Sequence, residues 1–498
     1  MDKGNGKNDR RLTVMLGAVV AMLAITVQSV PAIGAGFSLY PLGEVTGKPR
    51  LSDKPAEFLS VPPRPAMPIE LGCKFLGSGK LPDGFEVPGG AVWSPCFWLF
   101  GTYRTAFQTY ESVGPVGRNT EWANRLDLFA NLQLTSTEKC LLGVAPLDKN
   151  RFTNFSRYSF ESNQGQEGGR SEAGVYVRAA FCEGDFGSLF PNLDPKGTGY
   201  SDFGFSFGRQ QITFQEGIML SDVLDSVGVV RNNLHAPGFP NIRVTGLYAF
   251  DSIDRGAVSN RRRLNDGGLY GLFMQADTTA STWALDLATV RDDKDDSTGG
   301  DGYWIGLAAT QRGFNPWNGI GAVSTTYRIN ASISDGADTS QVTDGVLLSA
   351  EFMWTPHNSD DVVYINPFWG VDRYSQAGRE PIQGGPLAPL GIAFASPSLG
   401  NHLSELSAFN TAVVGVAMGY QAFWDSHRRN LVIELAGIKD TTRSLFKTDG
   451  AGTDGAALSI QLQQAVGQHV QLQLDAFISY IEGRSAGSGA RFEVLTQF

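Results

Sequence analysis

Arginines and carboxylates at alternate positions carry most of the chemistry this sequence offers. Arg104, Arg125, Arg178 and Arg243 each fall on the polar face of a stretch that alternates polar and apolar residues, as do Arg328 and Arg491 further on. Asp127, Asp286, Glu351, Glu434 and Asp475 take the same kind of position, mostly in the second half of the chain. A guanidinium presents a planar fork of donors that grips a carboxylate or phosphate bidentately. Rows of fixed charge around a water-filled passage decide which ions pass. The chemistry implied is recognition and passage, with arginines on one wall, acids on the facing wall and a transverse field between them. The plainer reading is that these groups pair and hold a crowded wall together.

Residues suited to covalent catalysis do not assemble. His235, His357, His402, His427 and His469 are scattered, mostly in turns or loops, and no GxSxG or HExxH motif occurs. A hydrolytic barrel would need a recognisable nucleophile and base, so neither an enzyme nor a cofactor is expected. The run "RDDKDDSTGGDG" spaces Asp293, Asp295 and Ser297 as a calcium loop would, but lacks that loop's Gly at position six and its closing Glu. Calcium at 292–301 therefore stays open, and no other metal site is indicated. Cys73, Cys96, Cys140 and Cys182 form an even set that suggests two disulfides in an exported chain. Three pairings are possible; proximity alone favours Cys73–Cys96 with Cys140–Cys182.

The elements that must position these groups are strands. In "RLDLFANLQL", Leu126, Leu128, Ala130 and Leu132 share one face while Arg125, Asp127, Asn131 and Gln133 share the other. The same period of two recurs in "GVYVRAAF", "STTYRINASI", "NLVIELAGI" and "HVQLQLDAFISYI". Strands of about ten residues suffice to cross a bilayer with the apolar face to lipid. Both ends of such a barrel lie on one side, so the count is even and long loops alternate with short turns. Tight turns at "VGQH", "DSHRRN", "PHNSDD" and "DTTAST" alternate with long connections at 252–267, 376–407 and 439–455. A first count gives seventeen strands; parity requires one more, which residues 224–234 supply. The expectation is a closed, all-β, transmembrane antiparallel barrel of about 18 strands, with 16 as the alternative. One connection, 184–201, is long where a short turn belongs.

Export is written at the start of the chain. Lys3, Lys7, Arg10 and Arg11 precede the apolar run Leu12 to Val27 and the small residues of "VPAIGAG", the three regions of a secretory signal peptide. A retained anchor is the alternative, but the run is short for a spanning helix of about 20 residues. The chain thus divides into a leader at 1–34, an irregular proline-rich segment at 35–96 that extends into the periplasm or plugs the pore, and a barrel at 97–498. With 18% charged residues, 60 glycines and a net charge of −10, the 498-residue chain suits many turns and excludes nucleic acid as a partner.

Connections supply further candidates. Strict alternation puts Arg209 on the lipid side unless Gly208 marks a bulge. A loop at 211–223 would narrow the pore, with Gln210, Gln211 and Glu216 as lining, or simply lie exposed. Arg261, Arg262 and Arg263 sit in a loop that either draws anions and lipopolysaccharide phosphates or is merely solvated. The loop 376–407 reads as a lid or constriction.

The last strand, "ARFEVLTQF", alternates Phe492, Val494 and Phe498 and ends the chain on phenylalanine. It resembles the C-terminal signal by which bacterial outer-membrane barrels are recognised for insertion. The chain as a whole resembles a bacterial outer-membrane porin. That likeness implies the outer membrane of a Gram-negative bacterium, with lipid, lipopolysaccharide and the barrel-assembly machinery as partners. More narrowly, "FGRQQITFQEGIMLSDVLDSVGVV" and "EWANRLDLFANLQLTSTEK" are similar to stretches of the alginate-export family. That family implies eighteen strands and an arginine-rich pore for anionic polysaccharide, although the proline-rich start departs from it. A bare porin is often trimeric and the alginate-export type works as a monomer. The functional expectation is passage of small, anionic solutes; the alternatives are polysaccharide export and a non-conducting barrel that holds a periplasmic or electron-transfer partner.

Overall fold

The computed structural model describes residues 64, 66–77, 83–111, 117–149, 155–163, 165, 167–255, 262–264 (backbone only), 267–292, 300–314, 322–336, 341–356, 359–409, 412–441, 454–484 and 486–498. The leader at 1–34, Arg261, the side chains of Arg262 and Arg263, and the calcium candidates Asp293, Asp295 and Ser297 lie outside them.

Eighteen strands close into one antiparallel barrel. The first six are β1 (Cys96–Glu111), β2 (Arg118–Gln133), β3 (Lys139–Ala145, resumed at Ser156–Glu161), β4 (Gly168–Arg170, resumed at Tyr176–Asp185), β5 (Phe203–Phe214) and β6 (Leu220–Ala236). The next six are β7 (Phe239–Asp251), β8 (Gly267–Asp277), β9 (Thr282–Asp292), β10 (Gly302–Phe314), β11 (Ala322–Ser334) and β12 (Gly345–Thr355). The last six are β13 (Val362–Asp372), β14 (Val413–Trp424), β15 (Arg429–Asp440), β16 (Gly455–Val466), β17 (Val470–Ile481) and β18 (Gly487–Gln497). Closure pairs β18 with β1 from Gly489↔Tyr110 to Gln497↔Thr102. The count is eighteen and not sixteen, and β6 is the strand that parity demanded.

Alternation explains why these residues form a membrane wall. Along β17, Leu474, Ile478 and Tyr480 are exposed while Phe477, Ser479 and Ile481 are buried. Trp122, Leu142, Phe207, Tyr270, Ile305, Leu435 and Phe492 continue the exposed apolar face around the barrel. An apolar surface of that extent would be a liability in water; against acyl chains it is what a transmembrane barrel requires. Among the described residues no helix is long and apolar enough to cross a membrane. The irregular connection at 184–201 holds only the short helix Phe186–Leu189 and a 3-10 turn at Pro191–Leu193.

The proline-rich segment, where described, lies along the start of β1. Ile69–Leu71 pairs antiparallel with Phe97–Leu99, and Cys73 is bonded to Cys96. Trp98 Nε1 donates to Cys73 O at 3.0 Å. The second disulfide, Cys140–Cys182, joins directly opposed residues of β3 and β4.

Among the described residues, two connections in particular turn inward into the lumen, and Ile253 of the β7–β8 connection packs with them. The β5–β6 turn buries Ile218 and Met219 completely. Its Gln215 and Glu216 adopt left-handed backbone, φ 52° and 53°, before Gly217 at 86°. The β13–β14 connection carries 3-10 turns at Pro381–Gln383, Ala388–Leu390 and Ile392–Phe394 and buries Leu387, Leu390, Ala393, Phe394 and Leu406. These side chains join Trp304, Leu347 and Phe368 from the wall in one apolar cluster. The core of this barrel is therefore inside it.

Candidate functional site

The arginines of the first strands converge with those of the last. Cross-strand register sets Arg104 of β1 opposite Arg125 of β2, and Arg491 of β18 opposite Gln108 of β1. Like charges side by side repel, so acids stand between them. Arg104 holds Glu493 through Nε at 2.5 Å and Nη2 at 3.0 Å. Arg125 Nε reaches Asp127 at 2.7 Å, and Arg178 of β4 reaches Asp127 at 3.2 Å. Arg178 also meets Asp148 and Glu380, both at 3.3 Å. Arg491 lies 3.2 Å from Asp475 and also pairs with Glu493. Arg157 of β3 faces Glu121 at 3.6 Å. Five arginines thus share one wall with at least as many carboxylates.

The acids expected on the facing wall hold the inserted loops instead of standing free. Glu434 of β15, fully buried, accepts the N–H groups of Ile392 and Ala393 at 2.9 Å each and the Tyr364 hydroxyl at 2.5 Å. Asp286 of β9 accepts from Gln215 Nε2 at 2.7 Å. Arg328 of β11 joins Glu216 of the turn at 2.6 Å and Glu351 of β12. Asp475 belongs with the arginines it was set against. Arg243 is exposed within the lumen, where its Nη2 donates to Gln275 at 2.8 Å. Two open rows of opposite charge therefore do not form, because packing the loops into the lumen consumes the acids of one row.

The arginine wall grips the same long loop. Arg104 donates to Pro397 O at 2.9 Å, Arg125 to Ser398 O at 3.3 Å and Gln108 to Leu399 O at 3.3 Å. Glu121 accepts from Asn401 N at 2.7 Å and from Asn401 Nδ2 at 3.1 Å. His402 lies between Tyr110 and Phe477, ring centroids 4.4 and 5.4 Å away. Burial pushes its imidazole down to about 3, with Arg491 adding repulsion, so the ring is neutral. Burial pushes the Glu405 carboxyl the other way, up to about 8, while Ser459 hydrogen-bonds it.

A cavity of about 270 Å³ lies open between this loop and β1, β16, β17 and β18. Arg104, Gln108, Glu405, Gln461, Asp475 and Arg491 line it.

Two loop assignments need correction. Strand β5 runs through Ile212, Thr213 and Phe214, whose side chains suit a strand, so Gln210 and Gln211 belong to the wall. Gln210 is buried and donates to Ser206 at 2.9 Å; Gln211 is exposed and reaches Ser221 at 3.4 Å. Only Glu216 sits in the inserted turn. Arg209 donates to Asp225 at 2.8 and 2.6 Å on a neighbouring strand. Glu121, Arg157, Glu380, His402, Glu405 and Glu493 were missed. Alternation extended two residues would have found Glu493 beside Arg491, and four would have found Glu121 before Arg125. Nothing local marks Glu380 or Glu405, which lie in an irregular loop.

No protein-family model matches the chain, and no curated protein does. Solved structures match its fold. OccAB2 of Acinetobacter baumannii superposes with a TM-score of 0.53 at 11% identity, over 81% of this chain and 98% of that one. OccAB4 of Acinetobacter baumannii gives 0.53 at 10% identity, over 83% and 100%. OccK5 (OpdH) of Pseudomonas aeruginosa gives 0.51 at 8% identity, over 81% and 98%. At such identities the likeness is one of fold: the eighteen-stranded barrel of outer-membrane porins. The local likeness to the alginate-export family is matched by no family model.

Proposed function

We propose that this chain, which has the barrel fold of outer-membrane porins, is a narrow solute channel in the outer membrane of a Gram-negative bacterium. One observation carries the reading: a cavity lined by arginine, carboxylate and amide side chains lies inside the barrel where the arginine wall meets the inserted loop, beside an apolar cluster that packs the same loop. Passage is then restricted to small polar solutes that fit between Arg104, Asp475, Arg491 and the loop. Anion preference, expected from the arginines, would require a solute carboxylate or phosphate to replace Asp127, Asp475 or Glu493 as an arginine's partner, since those acids already hold the arginines. The buried residues of the inserted loop stand in the way of a threaded polysaccharide, which argues against the export reading.

A second reading is favoured by the apolar cluster that spans the lumen: a non-conducting barrel that serves as a scaffold. Planar-bilayer recording of the purified protein separates the two. Small, discrete steps whose reversal potential shifts toward cations when Arg125 and Arg178 are changed to glutamate support the channel. Silence across the full voltage range would leave the scaffold.

A further inference from the structure

We infer that the lumen cavity is a binding site for a neutral polyhydroxylated solute the size of one sugar ring, a substrate class that rests on the channel reading above. Two observations at the cavity agree. The charges around it already satisfy one another: Arg104 is bidentate on Glu493, and Arg491 sits between Asp475 and Glu493. An anion entering must displace one of these carboxylates, and a cation must approach two guanidinium groups. Neither gains an unpaired opposite charge. A neutral ligand disturbs no pair.

The second observation is hydrogen-bonding capacity left unused. Gln108 is 1% exposed; its Nε2 donates to Glu121 and Leu399, while its Oε1 has no hydrogen-bond partner. A buried acceptor without a donor is costly, and an anion cannot supply the missing proton. On the same wall Arg491 Nε is a buried donor without a hydrogen-bond partner. Both atoms lie beneath the cavity surface, and a hydroxyl group, which donates and accepts at once, serves each when the Gln108 and Arg491 side chains turn toward it. Gln461 adds an amide to the lining, and burial keeps Glu405 protonated near neutrality as another donor.

Size and apolar surface fit the same class. About 270 Å³ is below the range of roughly 300–1,000 Å³ usual for drug-sized ligands. The loop contributes Ile392, Ala395 and Pro397, against which the C–H face of a sugar ring packs. The stacked pair His402 and Phe477 closes that side, with planes 12° apart.

The test uses the full chain in detergent micelles and in planar bilayers, with glucose, gluconate and glucosamine as neutral, anionic and cationic probes of one shape. Calorimetry is expected to show glucose binding at least tenfold more tightly than either charged analogue, and glucose is expected to interrupt the potassium chloride current. Gln108→Leu, which removes the unpaired acceptor, should weaken glucose at least tenfold. Unchanged heat-dependent gel mobility will show that this variant folds, and Gln461→Ala provides an independent variant. Tighter gluconate or glucosamine binding, or no glucose binding to the folded wild type, overturns the assignment. Current without sugar binding removes the site and leaves the channel; sugar binding without current removes the channel and leaves the site.

Discussion

Glu434 accepts the backbone N–H of Ala393 at 2.9 Å across 41 residues of chain, and its other oxygen takes the neighbouring Ile392. One wall carboxylate thus pins the 3-10 turn Ile392–Phe394 of the inserted loop. In Glu434→Gln the side-chain oxygen can serve one N–H, and the amide NH2 would confront the other. Hydrogen bonds to a charged group contribute about 1.5–3 kcal/mol each, so docking should weaken by that order. Protease cutting within 373–412 and single-channel conductance should both rise. If neither changes in a folded variant, Glu434 does not hold the loop.

The β5–β6 turn is pinned from the other sign of charge. Arg328, 2% exposed at its side chain, faces Glu216, which is 62% exposed, and Glu351, which is 20% exposed. Removing the arginine strands half-buried Glu351 beside a second carboxylate; breaking a fully buried pair costs about 3–5 kcal/mol, which bounds the loss from above. Glu216→Gln removes only an exposed partner and should cost about 1 kcal/mol or less. Arg328→Met should lower the unfolding temperature in detergent well below that of Glu216→Gln. Equal shifts would mean that the Glu351 pairing contributes little.

Glu405 gives loop docking a pH dependence of definite sign. Burial raises its carboxyl from the ordinary 4.5 to about 8. Between those values the docked loop keeps a proton that the released loop gives up, so raising the pH favours release. Docking is strongest below about 4.5, weakens progressively up to about 8, and is level above. Protease cutting of the loop at pH 5, 7 and 9 should rise, then flatten. Glu405→Gln should abolish most of the rise; a wild-type profile in that variant would place the titration elsewhere.

Side of the wall was legible in the sequence; occupancy of the lumen was not. A period of two places Asp127, Glu434 and Arg491 inward because neighbouring side chains in a strand point to opposite faces. The same rule cannot say whether an inward carboxylate meets water or protein. Glu434 meets Ile392 and Ala393 because an irregular loop returns through the barrel, and its route depends on contacts distant in sequence. Strand ends were blurred for a related reason. Leu220 to Val223 belong to β6 through pairing with β5 and, at Leu220 and Ser221, with the loop residues Gly378 and Arg379. Their own composition, "LSDV", reads equally well as a loop. Parity succeeded where composition did not, since closure constrains the whole count at once.

Closure itself depends on a glycine opposite the chain's last residue. Gly101 N donates to Phe498 O at 2.8 Å, and Phe498 N donates back to Gly101 O at 3.0 Å. A Cβ at 101 would meet Asp127 O at 2.7 Å and the Phe498 ring at 2.9 Å. The ring can turn aside, but the Asp127 carbonyl is backbone in the neighbouring strand β2. Gly101→Ala should therefore disturb the β18–β1 seam on both sides, and Gly101→Val, with its branched side chain, should disturb it further. Deleting Phe498 removes the last rung without adding bulk. Folded yield, read as the heat-dependent gel shift of the refolded barrel, should fall in the order wild type, Phe498 deletion, Gly101→Ala, Gly101→Val. A Gly101→Ala yield equal to wild type would show that β2 yields to the added carbon, and that the glycine is not needed for closure.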